Sequence, residues 1–198
     1  SALFHANQLK APAPYIAEMV RKEMVEQYGD KAFTLGLKVH TTINSSLQAI
    51  ASNALQSALY SFDQRHGYRS LPHKNKQNFK ETEFTTIADT QSAQVIEITN
   101  NIASAKLKDN TIIELNFENI RWARKFKSQN YLGPKLKSIN DILAPNDLIR
   151  VKQLKDTSWM LTQIPEAEAA FVALNAQNGA ILALSGGYDF FHNKYNRA

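Results

Sequence analysis

The stretch that decides the fold is EAAFVALNAQNGAILALSGGYDFFHNKYNRA, residues 168–198. Phe171, Val172, Ala173 and Leu174 make one apolar run, and residues 180–184 make a second. Between them lies Ala176-Gln177-Asn178-Gly179. Apolar runs joined through Asn-Gly predict a β-hairpin, because Gly takes a left-handed backbone at little steric cost and Asn tolerates one. Both runs are nearly continuously apolar, so both faces of the strands require cover. Two strands alone are marginal in water. The hairpin therefore reads as the first strands of a larger, incomplete sheet. It is expected to be poorly ordered, or to cover itself with the helices of residues 14–62 or with a neighbouring molecule. Ser185-Gly186-Gly187 breaks the second strand, and residues 188–198 are polar and irregular.

Upstream, short strand patterns follow one another at residues 94–99, 102–107, 111–117, 148–154 and 159–164. Turn residues separate them at Asn100-Asn101, Asp109-Asn110, Pro145-Asn146-Asp147 and Asp156-Thr157. A short helix is predicted over residues 118–126. Five short strands with one helix suggest a small five-stranded barrel of the OB type. The polar, basic passage 65–84 before it reads as a boundary or loop.

The N-terminal part is helical. Residues 1–12 read as a loose lead-in. Ile16, Met19, Val20 and Met24 recur at helical spacing within residues 14–28, and Gly29 is placed to end that helix. Residues 37–43, LKVHTTI, alternate and are β-branched, which predicts a strand. Ser45 to Gln48 fits a capping box. Leu47, Ile50, Ala51, Ala54, Leu55, Ala58, Leu59 and Phe62 then form the stripe of one long amphipathic helix, read as facing the core. The expected fold class is α+β. A helical linker with two helices and one strand covers 1–67, an OB-like five-stranded β-barrel covers 68–165, and the incomplete hairpin covers 166–198.

Bulk composition narrows the function. The 198 residues are 43% hydrophobic and 21% charged, an ordinary globular balance. No apolar run approaches a membrane span, and no signal-peptide pattern opens the chain. There is no cysteine, which excludes disulfides and thiolate metal sites. The net charge of +5 is unevenly placed. Arg65, Arg69, Lys74, Lys76 and Lys80 form one acid-free tract, and Arg121, Arg124, Lys125, Lys127, Lys135 and Lys137 form another. Such tracts attract anionic partners, although a solvated surface is the plainer reading.

Catalytic machinery is not evident. His5, His40, His66, His73 and His192 lack the paired spacing of a zinc site, so no metal and no cofactor is expected. No serine is followed three residues later by lysine, and no Lys-Thr/Ser-Gly occurs. Those pairings would place a lysine where it assists an acylated nucleophile. Ser128-Gln129-Asn130 matches only a bare Ser-x-Asn and is taken as chance. Asp147, Glu166 and Glu168 read as exposed carboxylates.

Six segments, taken in order, resemble the class A (bifunctional) penicillin-binding proteins, in particular the 1a type of Gram-negative bacteria. GLKVHTTINSSLQAIASNAL (36–55) resembles the strand and helix of their linker, and DQRHGYR (63–69) the segment after that helix. IRWARK (120–125), NDLIRV (146–151), WMLTQIPEAEAAFVALNAQNGAILALSGGYDF (159–190) and KYNRA (194–198) follow in the same order. Asn175-Ala176 stands where the family usually has Asp-Pro, Asn146 where Gly is common, and Ser185 where an apolar residue is common. The resemblance implies that 168–187 open a transpeptidase domain whose Ser-x-x-Lys helix lies beyond Ala198. It also implies a glycosyltransferase domain and membrane anchor before Ser1, a parent on the periplasmic side of the inner membrane, and no catalytic residue within this chain.

Two readings of function follow. In the first, the chain is a non-catalytic spacer and docking module of a peptidoglycan synthase. The partners implied are an outer-membrane lipoprotein activator, other wall-synthesis proteins or peptidoglycan itself. Arg121, Arg124, Lys125, Lys127 and Tyr131 are the candidate partner surface, with Trp122, Phe126 and Trp159 as further aromatic anchors unless the tryptophans pack in the core. In the second, a basic OB-fold binds single-stranded nucleic acid. The aromatics do not cluster on one strand pair, so nucleic acid is not the favoured partner.

Overall fold

The computed structural model of the chain describes residues 12–71 and 84–198. The lead-in up to residue 11, with His5, and His73, Lys74, Lys76 and Lys80 lie outside the described residues. The chain divides into two units, Tyr60–Ala167 on the one hand and Ser1–Leu59 with Glu168–Ala198 on the other.

Helix α1 covers Pro14–Tyr28, as predicted, and ends at Gly29, whose N–H returns to the Val25 carbonyl. Helix α2 covers Ser45–His66. In the unit Tyr60–Ala167 the strands are β1 (Thr86–Ile87), β2 (Thr90–Thr99), β3 (Ile102–Lys106), β4 (Ile112–Asn116), β5 (Phe126–Ser128), β6 (Tyr131–Leu132), β7 (Leu148–Gln153) and β8 (Trp159–Thr162). The hairpin of the other unit is β9 (Phe171–Leu174) and β10 (Ile181–Ser185).

The central sheet is antiparallel, in the order β4-β3-β2-β7-β8, with β1 added beside the start of β2. All five predicted strands are in it. Closure is corrected: β4 and β8 approach one another, but no hydrogen-bonded ladder joins them, so the sheet is open and six-stranded rather than a closed five-stranded barrel. The turns follow their residues. Asn100 and Asn101 both take positive φ, 52° and 60°, in the two-residue turn that pairs Thr99 with Ile102. Asn146, at φ 68°, holds a left-handed position that Asn and Gly tolerate. Val95, Ala105, Leu115, Ile120, Ile139, Val151 and Leu161 are fully buried in one core, with Trp122 and Trp159 packed against it.

The predicted helix at 118–126 is instead a single 3₁₀ turn, Phe117–Asn119, followed by irregular chain. Tertiary pairing explains it. Tyr68 N–H donates to the Arg124 carbonyl at 2.7 Å and Phe126 N–H donates to the Tyr68 carbonyl at 3.0 Å, so backbone a helix would use internally is taken by residue 68. The Trp122 indole N–H donates to the Leu161 carbonyl at 3.0 Å.

In the other unit the hairpin is paired as predicted, with a bulge between Ile181 and Ala183. Its loop places only Gly179 at positive φ, 72°, and Gly179 N–H donates to the Asn175 carbonyl at 2.8 Å. Cover comes from α1. Tyr15 and Ile16 pack with Leu184, and Val20, Ile43 and Phe190 pack on the same cluster. β9 keeps Phe171, Val172 and Leu174 exposed.

Three N-terminal expectations are revised. Residues 37–43 form no ladder. Only the chain just before α2 reaches the β10 edge, where the Thr42 hydroxyl donates to the Ile181 carbonyl at 2.7 Å and Asn44 N–H donates to the Leu182 carbonyl at 2.9 Å. The cap of α2 is Asn44, whose Oδ1 accepts the N–H groups of Ser46 and Leu47, both at 3.0 Å. Gln48 is freed from capping and works on the sheet: its amide donates to the Leu184 carbonyl and accepts the Leu184 N–H, both at 2.9 Å, with the side chain 1% exposed. The buried stripe of α2 is accordingly Gln48, Ala51, Leu55, Leu59 and Asp63, while Leu47, Ile50 and Phe62 are exposed.

Candidate functional site

The basic tract is held in place by a polar staple. Asp63, near the end of α2, is 1% exposed. Its carboxylate accepts from Arg69 Nη1 at 2.9 Å, from Gln163 Nε2, and from the Glu166 N–H at 3.4 Å. Gln163 also donates to the Gly67 carbonyl at 2.9 Å and accepts the Arg69 N–H at 2.8 Å. Arg69 Nε lies 3.1 Å from Glu166 Oε2, an ion-pair contact outside hydrogen-bond alignment, and its guanidinium sits 4.5 Å from the centre of the Phe126 ring. Gly67 has φ 101°, and a Cβ there would stand 2.8 Å from the Arg124 carbonyl and 2.7 Å from Leu132 Cδ2. The segment DQRHGYR thus clamps residues 63–69 to residues 163–166 and lays Tyr68 against the start of the tract. Glu166 is exposed as expected, whereas Asp147 is buried and accepts the Ala144 N–H at 2.8 Å. Glu168, in the other unit, pairs with Arg197.

The five candidate residues have different employments. Arg121 pairs with Glu118 at 3.1 Å, on exposed chain. Arg124 donates from Nε to the Gly133 carbonyl at 2.8 Å, which ties the tract to the chain after β6. Lys125 and Lys127 are exposed and flank half-buried Phe126. Tyr131 is 63% exposed, with the Lys127 ammonium 5.3 Å from its ring centre. Trp122 and Trp159 pack against the core, and Phe126 lies under Arg69, so along this tract Tyr131 is the one well-exposed aromatic. That leaves no row of rings for stacking nucleic-acid bases.

Two residues outside the candidate set belong with it. A groove of about 480 Å³ is lined by Lys125, Lys127, Gly133, Pro134, Lys135, Leu136, Lys137 and Asp141. Lys135 and Lys137 flank Leu136, which is packed against the core. Gly133 N–H donates to the Lys125 carbonyl at 2.7 Å, which brings the two lysine pairs to one groove. The signal was present in the repeat of Lys-apolar-Lys at 125–127 and 135–137, where both lysines are exposed and the apolar residue between them is half-buried. Asp141 accepts the N–H groups of Lys137 and Ser138 at 2.7 and 3.0 Å, and those two backbone donors hold its carboxyl below the usual value. None of the four lysines is ion-paired among the described residues. A second groove, of about 420 Å³, adjoins it through Lys125 and Asp141 and runs past Tyr68, Arg69, Ser70 and Phe126.

No other chemistry gathers among the described residues: no group of three metal-ligating side chains is present, and no helix is long and apolar enough to cross a membrane. The His66 ring stacks on Phe62 and contacts the Phe62 carbonyl at 2.7 Å.

Comparison with known proteins agrees with this architecture. Residues 68–167 match the penicillin-binding protein OB-like domain. The chain is 37% identical to penicillin-binding protein 1A of Vibrio cholerae, over 98% of this chain and 26% of the relative. It is 36% identical to penicillin-binding protein 1A of Escherichia coli, over 100% of this chain and 24% of the relative. The crystal structure of penicillin-binding protein 1A from Haemophilus influenzae superposes with a TM-score of 0.76 at 32% identity, covering 100% of this chain and 29% of that one. The chain therefore spans about a quarter of the length of the curated relatives it matches.

Proposed function

Because the chain belongs to the penicillin-binding proteins that carry an OB-like domain, we propose that it is the non-catalytic central region of a bifunctional peptidoglycan synthase. It spaces the synthase's catalytic domains and docks a regulator on the periplasmic side of the inner membrane. The observation that carries this reading is the order of the units. The OB-like stretch is interposed between residues 12–59 and 168–198, which fold with one another. A module branching from a continuous scaffold can receive a partner without interrupting that scaffold. The docking face is the groove of Lys125, Lys127, Lys135 and Lys137, with Tyr131 at its side. Arg124 holds its Gly133 wall in place through the carbonyl, while Arg121 is paired with Glu118. A lipoprotein activator or another wall-synthesis protein with an acidic face suits such a surface by charge complementarity.

Labelling with a fluorescent penicillin tests the non-catalytic assignment. The chain stays unlabelled and a longer protein containing it is acylated. Acylation of the chain itself, or of neither folded protein, overturns the assignment. Excision of residues 68–165 from the longer protein tests the regulatory role. The retained flanks are neighbours, since Glu166 N–H donates to Asp63 Oδ1 at 3.4 Å, so a short linker bridges the gap. Penicillin labelling is retained and stimulation by the partner is lost. Stimulation that survives excision contradicts the docking role.

A further inference from the structure

The lysine groove specifies more than negative charge. We infer that it takes an extended acidic peptide segment with carboxylates at every second residue. This rests on the docking role proposed above and adds the shape and spacing of the ligand. Lys125 and Lys127 are exposed on either side of half-buried Phe126, at a point where the β5–β6 register shifts, and Lys135 and Lys137 are exposed on either side of half-buried Leu136, outside any strand. Residues two apart on extended chain stand about 6.6 Å apart on one face. An extended peptide with acids at alternate positions presents the same repeat, so both lysines of a pair meet a carboxylate in one register.

Three further features favour such a segment. The groove between the lysines is walled by Gly133, Pro134 and Leu136, a surface that accepts the small side chains between the acids. Asp141, the one acid of the lining, is fixed by two backbone N–H groups and is outnumbered by the four lysines, so the groove stays net positive. Tyr131 and Lys127 form a cation–π pair at the groove's side, which offers an apolar ring beside a charge. A clustered acidic run, such as one helical face or an acidic tail folded on itself, matches the charge but not the period.

Fluorescence anisotropy on the complete chain tests this, with three labelled probes of equal charge. One is a peptide of about ten residues alternating Asp and Ser at the period of an extended strand. The second has the same composition with its acids contiguous, and the third is an oligo-thymidylate. The alternating peptide binds most tightly. Lys135→Glu with Lys137→Glu weakens it about tenfold or more, whereas Lys108→Glu with Lys155→Glu, of the same charge change on exposed turns, weakens it about twofold or less. Urea midpoints of both double variants match the parent, which separates binding from folding. Equal losses in the two variants overturn the groove as the site. Equal binding of the contiguous peptide overturns the extended-strand ligand while leaving a docking surface intact. Tighter binding of the oligo-thymidylate replaces the peptide with nucleic acid. None of these outcomes depends on penicillin labelling, so this inference and the synthase reading fail separately.

Discussion

Removing the Asp63 carboxylate should unfasten the OB-like unit. In Asp63→Ala, the Arg69 guanidinium loses its 2.9 Å partner, Gln163 keeps only the Gly67 carbonyl for Nε2, and Glu166 N–H loses its acceptor. Breaking a buried pair from one side costs about 3–5 kcal/mol. The Arg69 side chain is 23% exposed and retains Glu166, so solvent and the second carboxylate reduce the expected loss to about 2–3 kcal/mol. Urea unfolding followed by tryptophan fluorescence reads this directly, since Trp122 and Trp159 both lie in the affected unit. For an ordinary urea slope the midpoint falls by about 1 M or more. Arg69→Ala leaves Asp63 buried without its cation and removes the ring contact with Phe126, so its loss is at least as large. The double variant costs less than the sum, by about 1–3 kcal/mol. Asp63→Asn separates charge from shape. Its new N–H₂ would face Gln163 Nε2, and flipping Gln163 forfeits its bonds to Arg69 N–H and the Gly67 carbonyl. The amide variant therefore also loses stability. A midpoint shift worth under about 1 kcal/mol for Asp63→Ala, or strictly additive energies in the cycle, would refute the staple as a stabilising network.

Gly67→Ala drives a Cβ into the Arg124 carbonyl and Leu132 at a positive φ, so the same melt shows a loss of about 2 kcal/mol or more; an unchanged midpoint contradicts the close approach. Burial, the largest influence, pushes the Tyr60 phenol up to about 12, and burial also raises Tyr68, with Asp147 adding to it. Unfolded tyrosine titrates near about 10, so the folded state keeps protons that the unfolded state releases above that pH. Stability is complete below about pH 10 and falls as pH rises toward about 12; a flat midpoint across that window, or no flattening in Tyr60→Phe, counts against this. Gln48→Leu strips the Leu184 N–H and carbonyl of their partners at a cost of about 1–3 kcal/mol, and amide exchange at Leu184 speeds up in proportion, whereas unchanged exchange means the side chain does not guard the edge.

Local signals, the hairpin turns included, were readable, and long-range partners were not. The first helix and its Gly29 stop, the Asn turns and the five sheet strands were all set by residues within a few positions of one another. Residues 37–43 and 118–126 failed in opposite directions for one cause. The first has β-branched alternation but reaches β10 only at its end, and the second reads as a short helix but gives its backbone to Tyr68. The stripe of α2 was misjudged because Gln48 and Asp63 are polar. Each is buried by a partner more than ninety positions away, Leu184 for one and Gln163 for the other, so neither could be ranked as interior on hydropathy. Closure of the sheet depends on whether β4 and β8 come into hydrogen-bonding range, and strand count is silent on that.

The same logic sorts the basic tract. Its charges look interchangeable in sequence, yet a cation whose donor is spent on the chain's own carbonyl or carboxylate cannot serve a partner at full strength. Arg124 is spent on Gly133 and Arg121 is shared with Glu118. The second of these was visible as an i, i+3 pair, while the first needed the hairpin that brings residue 133 back to the tract. The lysines that remain have a compact charge on a flexible stem, with no fork to match a carbonyl at fixed geometry. Replacing a lysine of the groove should therefore change binding without moving the fold. Replacing Arg124 should move both, because the Gly133 carbonyl loses its donor and the two lysine pairs lose the hairpin that aligns them. Charge reversal at Arg124 is for that reason a poor probe of docking, and the lysine pair at 135 and 137 is the cleaner one.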